Sequence, residues 1–276
     1  MAYLNFLYQY WKEEQQVFNK NLAILKEHSD KDAVHDLRVA VKKLRATLEI
    51  YVLLTKEPLW DYPLKETENL FTICGKQRDI EISLEVLTLL EKETSKKYQE
   101  FNRFLNSLLR TAIKWTSKAV TEYKKKELGA IATLLKTERS ENIQTDLVSV
   151  IKTQLPECRN YYKKPHRLRQ FLKEIYYWIK MIPGSSEEVK QYEKTIHDVL
   201  DDLGHWQDLK MFETRLRHFR KDYLPKAFSE YNQIEDLQKL IKEKEQKLLR
   251  KALGKIRQLV KKITTTENGK QVLIRT

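Results

Sequence analysis

A chain of 276 residues that is 41% hydrophobic has enough apolar surface to bury a core, which excludes a disordered basic tail. With only six Gly and six Pro, a strand-rich fold with many turns is also disfavoured, and an all-α protein is expected. Lys and Arg outnumber Asp and Glu by 52 to 39, a net charge of +13, whose long-range field favours an anionic partner.

Residues 3–28 carry Leu4, Leu7, Tyr8, Trp11, Phe18, Leu22 and Leu25 at helical spacing, and Ser29-Asp30 is the polar break before a second helix over about 32–55. Pro58 and Pro63 interrupt the pattern ahead of a third helix running to about 92, and a fourth is expected over about 98–127. After a polar stretch at 136–146 the order repeats. Helices are expected near 144–160, from Pro165 to Met181, over 185–221 and over 230–264. The expected domain is therefore single, 1–276, with repeats over 1–135 and 136–276.

The repeat is carried by two motifs. His35-Asp36-Leu37-Arg38 followed by Lys42 recurs 131 residues on as His166-Arg167-Leu168-Arg169 followed by Lys173. Gly75-Lys76-Gln77-Arg78-Asp79 recurs 129 residues on as Gly204-His205-Trp206-Gln207-Asp208. Two motifs that keep both order and spacing mark a duplicated helical unit.

On a helix, His35, Arg38, Lys42 and Arg45 lie at about 0°, 300°, 340° and 280°, a narrow row, while Leu37, Leu44 and Leu48 lie near 200° and can bury. In the second copy Tyr176 replaces the last Arg of the row. A solvated basic face needs charge but no shared register of His, Arg and Lys. A row that meets successive phosphates does, Arg acting as a planar fork and Lys as a mobile point charge. Gly75 and Gly204 cost about 1 kcal/mol each against Ala within a helix, which points to close packing there. Asp79 and Asp208 follow those glycines by four residues, where a carboxylate either orients the motif His or Arg of its own half or is a surface Asp.

On these residues the chain resembles the CHAD family, the conserved histidine α-helical domain, whose hallmark is a duplicated H-x-x-R-x-x-x-K helix with a Gly-x-x-x-Asp segment after each copy. The resemblance covers nearly the whole chain. It implies two pseudo-symmetric four-helix bundles with a basic central channel that binds inorganic polyphosphate. Carried over by position, His35, Arg38, Lys42, Lys43, Arg45 and Arg78 form the first half of the site, and His166, Arg169 and Lys173 the second. Lys163, Lys164, Arg167 and His205 are weaker candidates. Tyr176 in place of Arg, and Gln207 in place of the Arg of a Gly-x-x-Arg-Asp segment, depart from the family pattern and bear on affinity.

Neither a catalytic site nor a cofactor site is expected. Glu243-Lys244-Glu245-Gln246-Lys247 has the E-x-E-x-K form of the triphosphate-processing CYTH barrels often fused to CHAD domains, but Leu237, Leu240, Ile241, Leu248 and Leu249 give it helical periodicity. On a helix its carboxylates diverge by about 200°. There is no phosphate-cradling Gly loop, nucleophile elbow or H-E-x-x-H motif, and His28, His197 and His218 have no ligand partner at a recognisable spacing. Cys74 and Cys158, without a C-x-x-C pair, read as ordinary thiols of a reducing compartment. With no signal sequence and no long uncharged apolar run, a soluble cytoplasmic protein is expected, associated with polyphosphate granules and not with membranes. The alternative is a helical protein that binds nucleic acid non-specifically, to which segment 242–262, with nine Lys/Arg against two Glu, would contribute. A scaffold that anchors other polyphosphate-associated proteins to polyphosphate is compatible with polyphosphate binding and has no sequence signature that separates it.

Overall fold

The computed structural model describes residues 3–55, 64–124, 126–137, 143–182 and 186–273, and every regular element among them is helical. In chain order these are α1 (Tyr3–Glu27), α2 (Lys31–Thr55), α3 (Lys65–Thr94), α4 (Gln99–Glu122), α5 (Lys126–Thr137), α6 (Ile143–Gln154), a 3-10 helix (Leu155–Tyr161), α7 (Pro165–Met181), α8 (Glu187–Asp222) and α9 (Glu230–Leu273). The interruption expected at Pro58 and Pro63 and the middle of the polar stretch, 138–142, lie outside the described residues. Two compact units emerge, Met1–Glu141 with Asp208–Ile241 and Asn142–Gln207 with Lys242–Thr276. This division differs from the expected halves because α8 and α9 each contribute to both units.

In the first unit α1 packs on α2, α2 on α3, and α3 on α4. Trp11, Phe18 and Leu22 of α1 and Val34, Leu37, Val41 and Leu44 of α2 are buried, the spacing of an amphipathic pair, and burying each stabilises by about 1.5–3 kcal/mol. Asp30 starts α2 as an N-cap, its Oδ1 accepting from the Ala33 backbone N–H at 2.7 Å. Glu230 caps α4 from a distance, its carboxylate accepting from the N–H groups of Glu100 and Phe101, each at 3.1 Å.

The fourth expected helix divides in two. α4 ends at Glu122, Tyr123 is extended, and α5 follows. The break has a cause: it brings Glu127 to the first turn of α3, where its carboxylate accepts from the backbone N–H groups of Glu66 and Thr67 at 2.9 and 3.1 Å. The Tyr123 hydroxyl shares a hydrogen bond with Thr67 Oγ1 at 2.8 Å. An unbroken helix through 127 would leave those α3 donors uncapped. α5 in turn accepts the Trp11 indole N–H at the Leu128 carbonyl, 3.2 Å away.

In the second unit the helix expected over 144–160 is α-helical only to Gln154 and tightens to 3-10 geometry, because Pro156 cannot donate to the ladder. α7 begins at Pro165, a residue suited to the first helical position, and buries Leu168, Leu172, Ile175 and Ile179. α8 and α9 are tied by Asp202, whose buried carboxylate accepts from Lys251 at 2.8 Å and Lys255 at 2.6 Å. Among the described residues no helix is long and apolar enough to cross a membrane.

Candidate functional site

In the first unit α2 and α3 run antiparallel with Arg38 opposite Gly75, Lys42 opposite Phe71 and Arg45 opposite Glu68. His35 is exposed and Arg38, Lys42 and Arg45 are half-buried, so the cation row borders solvent along this helix pair. Phe71 is its platform. The guanidinium carbons of Arg38 and Arg45 sit 4.1 and 4.2 Å from the ring centroid and Lys42 Nζ 5.9 Å away, a cation–π contact for three members of one row. Arg38 Nη1 also donates to the Phe71 carbonyl at 2.5 Å. Gly75 makes this possible: a Cβ there would overlap Arg38 Nη1 and lie 3.1 Å from Cζ. The expected close packing at this Gly is thus packing of the motif Arg itself.

Asp79 and Arg215 complete the cluster. Arg215 Nη1 donates to the Asp79 carbonyl at 2.8 Å and to Ser83 Oγ at 2.7 Å. Burial pushes the Asp79 carboxyl above its ordinary value, while Arg38, Arg215, Lys42 and Arg78 pull it back. The same burial lowers Arg38 and Arg215, with Asp79 opposing. Partly desolvated guanidiniums gathered around one carboxylate gain more from an added anion than the same groups in water. Burial pushes the nearby Cys74 thiol up to about 12, so it stays protonated, as expected of an ordinary thiol.

The remaining candidates of this unit have other partners. Lys43 turns to α1 and pairs with the buried Glu14 at 2.7 Å, so it does not join the row on Phe71. Arg45 is gripped by both carboxylate oxygens of Glu68, and an incoming anion must compete there. Arg78 pairs with Glu81 at 3.5 Å and Glu85 at 3.2 Å, and Glu85 also holds Lys31 at 3.1 Å.

The second unit repeats the register with α7 against α8. His166 Nδ1 lies 3.1 Å from Gln207 Oε1, a Cβ on Gly204 would sit 3.8 Å from Arg169 Nη2, and the rings of Tyr176 and His197 are 5.8 Å apart. Lys180 follows one turn later, 2.5 Å from Glu193. Gln207, the departure from Gly-x-x-Arg-Asp, thus faces the motif His. Arg169 and Lys173 are half-buried and His166 exposed, as in the first row. Of the weaker candidates, Lys163, Lys164, Arg167 and His205 are all exposed. Lys164 stands immediately ahead of α7, and Arg167 donates to Gln170 at 3.4 Å.

Phe71, Arg215 and Lys180 were not among the sequence candidates. Lys180 had a signal, since it continues the second row at about 320°. Phe71 and Arg215 had none, because their roles depend on which helix faces α2. The E-x-E-x-K segment lies inside α9, with Glu245 buried and Glu243 exposed, so its carboxylates occupy different faces. The helical reading of that segment holds.

A family model for the CHAD domain matches residues 9–217, and the chain belongs to that family. Its fold is similar to the crystal structure of the CHAD domain from the plant Ricinus communis, at 15% identity over 93% of this chain and 92% of that one, with a TM-score of 0.75. It is also similar to PptA from Streptomyces chartreusis, at 14% identity over 92% of this chain and 98% of that one, with a TM-score of 0.68. No curated protein matches it.

Proposed function

We propose that this protein binds inorganic polyphosphate without acting on it chemically, through the basic channel implied by its family, and that it serves in the cytoplasm as a targeting or scaffolding module at polyphosphate bodies. What supports this is the Arg–Gly register: in each unit the motif Arg faces the Gly of the neighbouring helix, Arg38 so close to Gly75 that a Cβ would overlap it and Arg169 at ordinary contact distance from Gly204. At Gly75, a surface that only needed charge would not require a missing Cβ under the Arg38 guanidinium. Such seating pre-organises the fork for a phosphate oxygen and lowers the ordering cost of binding. Phosphates along a chain can then meet Arg38, Lys42 and Arg45, or Arg169 and Lys173, in succession, while His35 and His166 stand at the start of each row.

The test is a calorimetric titration with long-chain polyphosphate, duplex DNA and single-stranded RNA at matched phosphate concentration and about 0.15 M salt, where non-specific electrostatic binding is already weakened. Polyphosphate should bind well ahead of both nucleic acids. Equal binding to all three would make the protein a non-specific polyanion binder instead.

A further inference from the structure

The second row does not end where the first does. Arg45 and Glu68 form the last ion pair of the first row, and the equivalent positions hold Tyr176 and His197, a ring pair without the charge of the Arg. One turn further, where the first copy has the exposed acid Glu49, the second has Lys180, paired with Glu193 at 2.5 Å. The cation–carboxylate clamp is therefore retained in the second unit but moved outward by one turn, about 5.4 Å along the helix. At this displaced clamp lies a pocket of about 420 Å³ between α7 and α8.

The pocket has the chemistry of an anion subsite. Lys180, Lys190 and Lys194 line it, with Tyr176 and His197 on the side nearer the motif row. Two acids also line it, Glu193 and Asp198. Glu193 is taken up by Lys180, whose Nζ also lies 5.7 Å from the Tyr176 ring centroid. His197 is turned to Asp201 at 3.1 Å, and Lys190 to Glu187 at a loose 3.7 Å. All three lysines are exposed, flexible point charges suited to an extended ligand whose oxygens vary in position.

We propose that this pocket is an extension subsite for the phosphate chain, continuing the Arg169–Lys173 row past Tyr176 onto Lys180, Lys190 and Lys194, and that it makes the second unit selective for longer chains. The proposal rests on the polyphosphate reading above. A chain too short to pass Tyr176 engages only the motif row. A longer one gains the lysines and displaces Glu193 from Lys180, so Glu193 sets a threshold that the ligand must outcompete.

The test compares tripolyphosphate with long-chain polyphosphate on the full chain, using a Lys180→Ala/Lys190→Ala/Lys194→Ala variant. A control variant replaces the exposed Lys20, Lys92 and Lys221 with Ala, removing equal charge elsewhere. The subsite variant should lose roughly tenfold in affinity for the long chain and little for tripolyphosphate, and the control should lose little for either. Glu193→Gln should raise long-chain affinity severalfold. Equal losses for both ligands, equal losses in subsite and control variants, or no loss at all would each overturn the subsite. Failure of the parent protein to bind either ligand would instead remove the polyphosphate reading itself, so the two failures are distinguishable.

Discussion

The Arg38 guanidinium lies so close over the backbone of Gly75 that a Cβ at that position would overlap its Nη1. In the second unit a Cβ on Gly204 would meet Arg169 Nη2 at 3.8 Å, an ordinary contact. The same substitution should therefore act differently in the two units. Gly204→Ala should stabilise by up to about 1 kcal/mol through helix propensity with polyphosphate binding retained. Gly75→Ala should displace Arg38 from the Phe71 carbonyl, cancel most of that gain and weaken binding severalfold. Thermal unfolding and titration of both variants check this. Equal effects would contradict the seating of Arg38.

Phe71 supports three cations, whereas the second unit has Leu200 at the equivalent position. Phe71→Leu should keep the fold, since α3 loses one half-buried ring, and cost about 0.5–1 kcal/mol of binding through loss of the cation–π contacts, a few-fold in Kd. An unchanged Kd would show that the row does not depend on its platform.

Much of this arrangement was legible in the sequence. The duplicated H-x-x-R-x-x-x-K pattern placed His35, Arg38, Lys42 and Arg45 on one helical face because helix geometry alone fixes those angles. The bounds of α7 followed from Pro165 and the apolar period. Lys43 sits about 80° round from His35, yet the family pattern placed it in the site; its ion pair with Glu14 depends on how α1 packs. Other features depended on tertiary register. The split between α4 and α5 arises from Glu127 capping a helix some sixty residues earlier, which no local pattern encodes. Arg215 lies 136 residues from the Asp79 carbonyl it binds.

Asp79 gives a pH signature. Burial holds its folded-state pKa above the ordinary 3.8, so the folded chain keeps the proton more tightly than the unfolded chain. The ionised side chain costs stability above the folded pKa, and that cost disappears as pH falls through the folded value toward 3.8. Asp79→Asn removes this contribution. The difference in Tm, variant minus parent, should be most positive at neutral pH and decline as pH falls through that window. A difference independent of pH would contradict the burial of this carboxyl.

Lys43 separates folding from binding. Its partner Glu14 is buried and the pair is 2.7 Å apart, so Lys43→Met leaves a carboxylate without its cation. The variant should lose about 1–3 kcal/mol of stability, measured by chemical denaturation. Its polyphosphate affinity below the unfolding transition should be unchanged. A large loss of affinity with intact stability would return Lys43 to the binding row.

If Arg38 and Arg169 hold phosphates, their joint removal must weaken polyphosphate binding. The decisive measurement titrates long-chain polyphosphate into the parent and an Arg38→Ala/Arg169→Ala variant across a series of salt concentrations. With both forks engaged, the variant should bind at least tenfold more weakly, and its log K should fall less steeply with log salt because fewer phosphates are neutralised. An affinity and salt slope equal to those of the parent would mean that the repeated motif serves packing alone and that net charge, not the rows, attracts the polyanion.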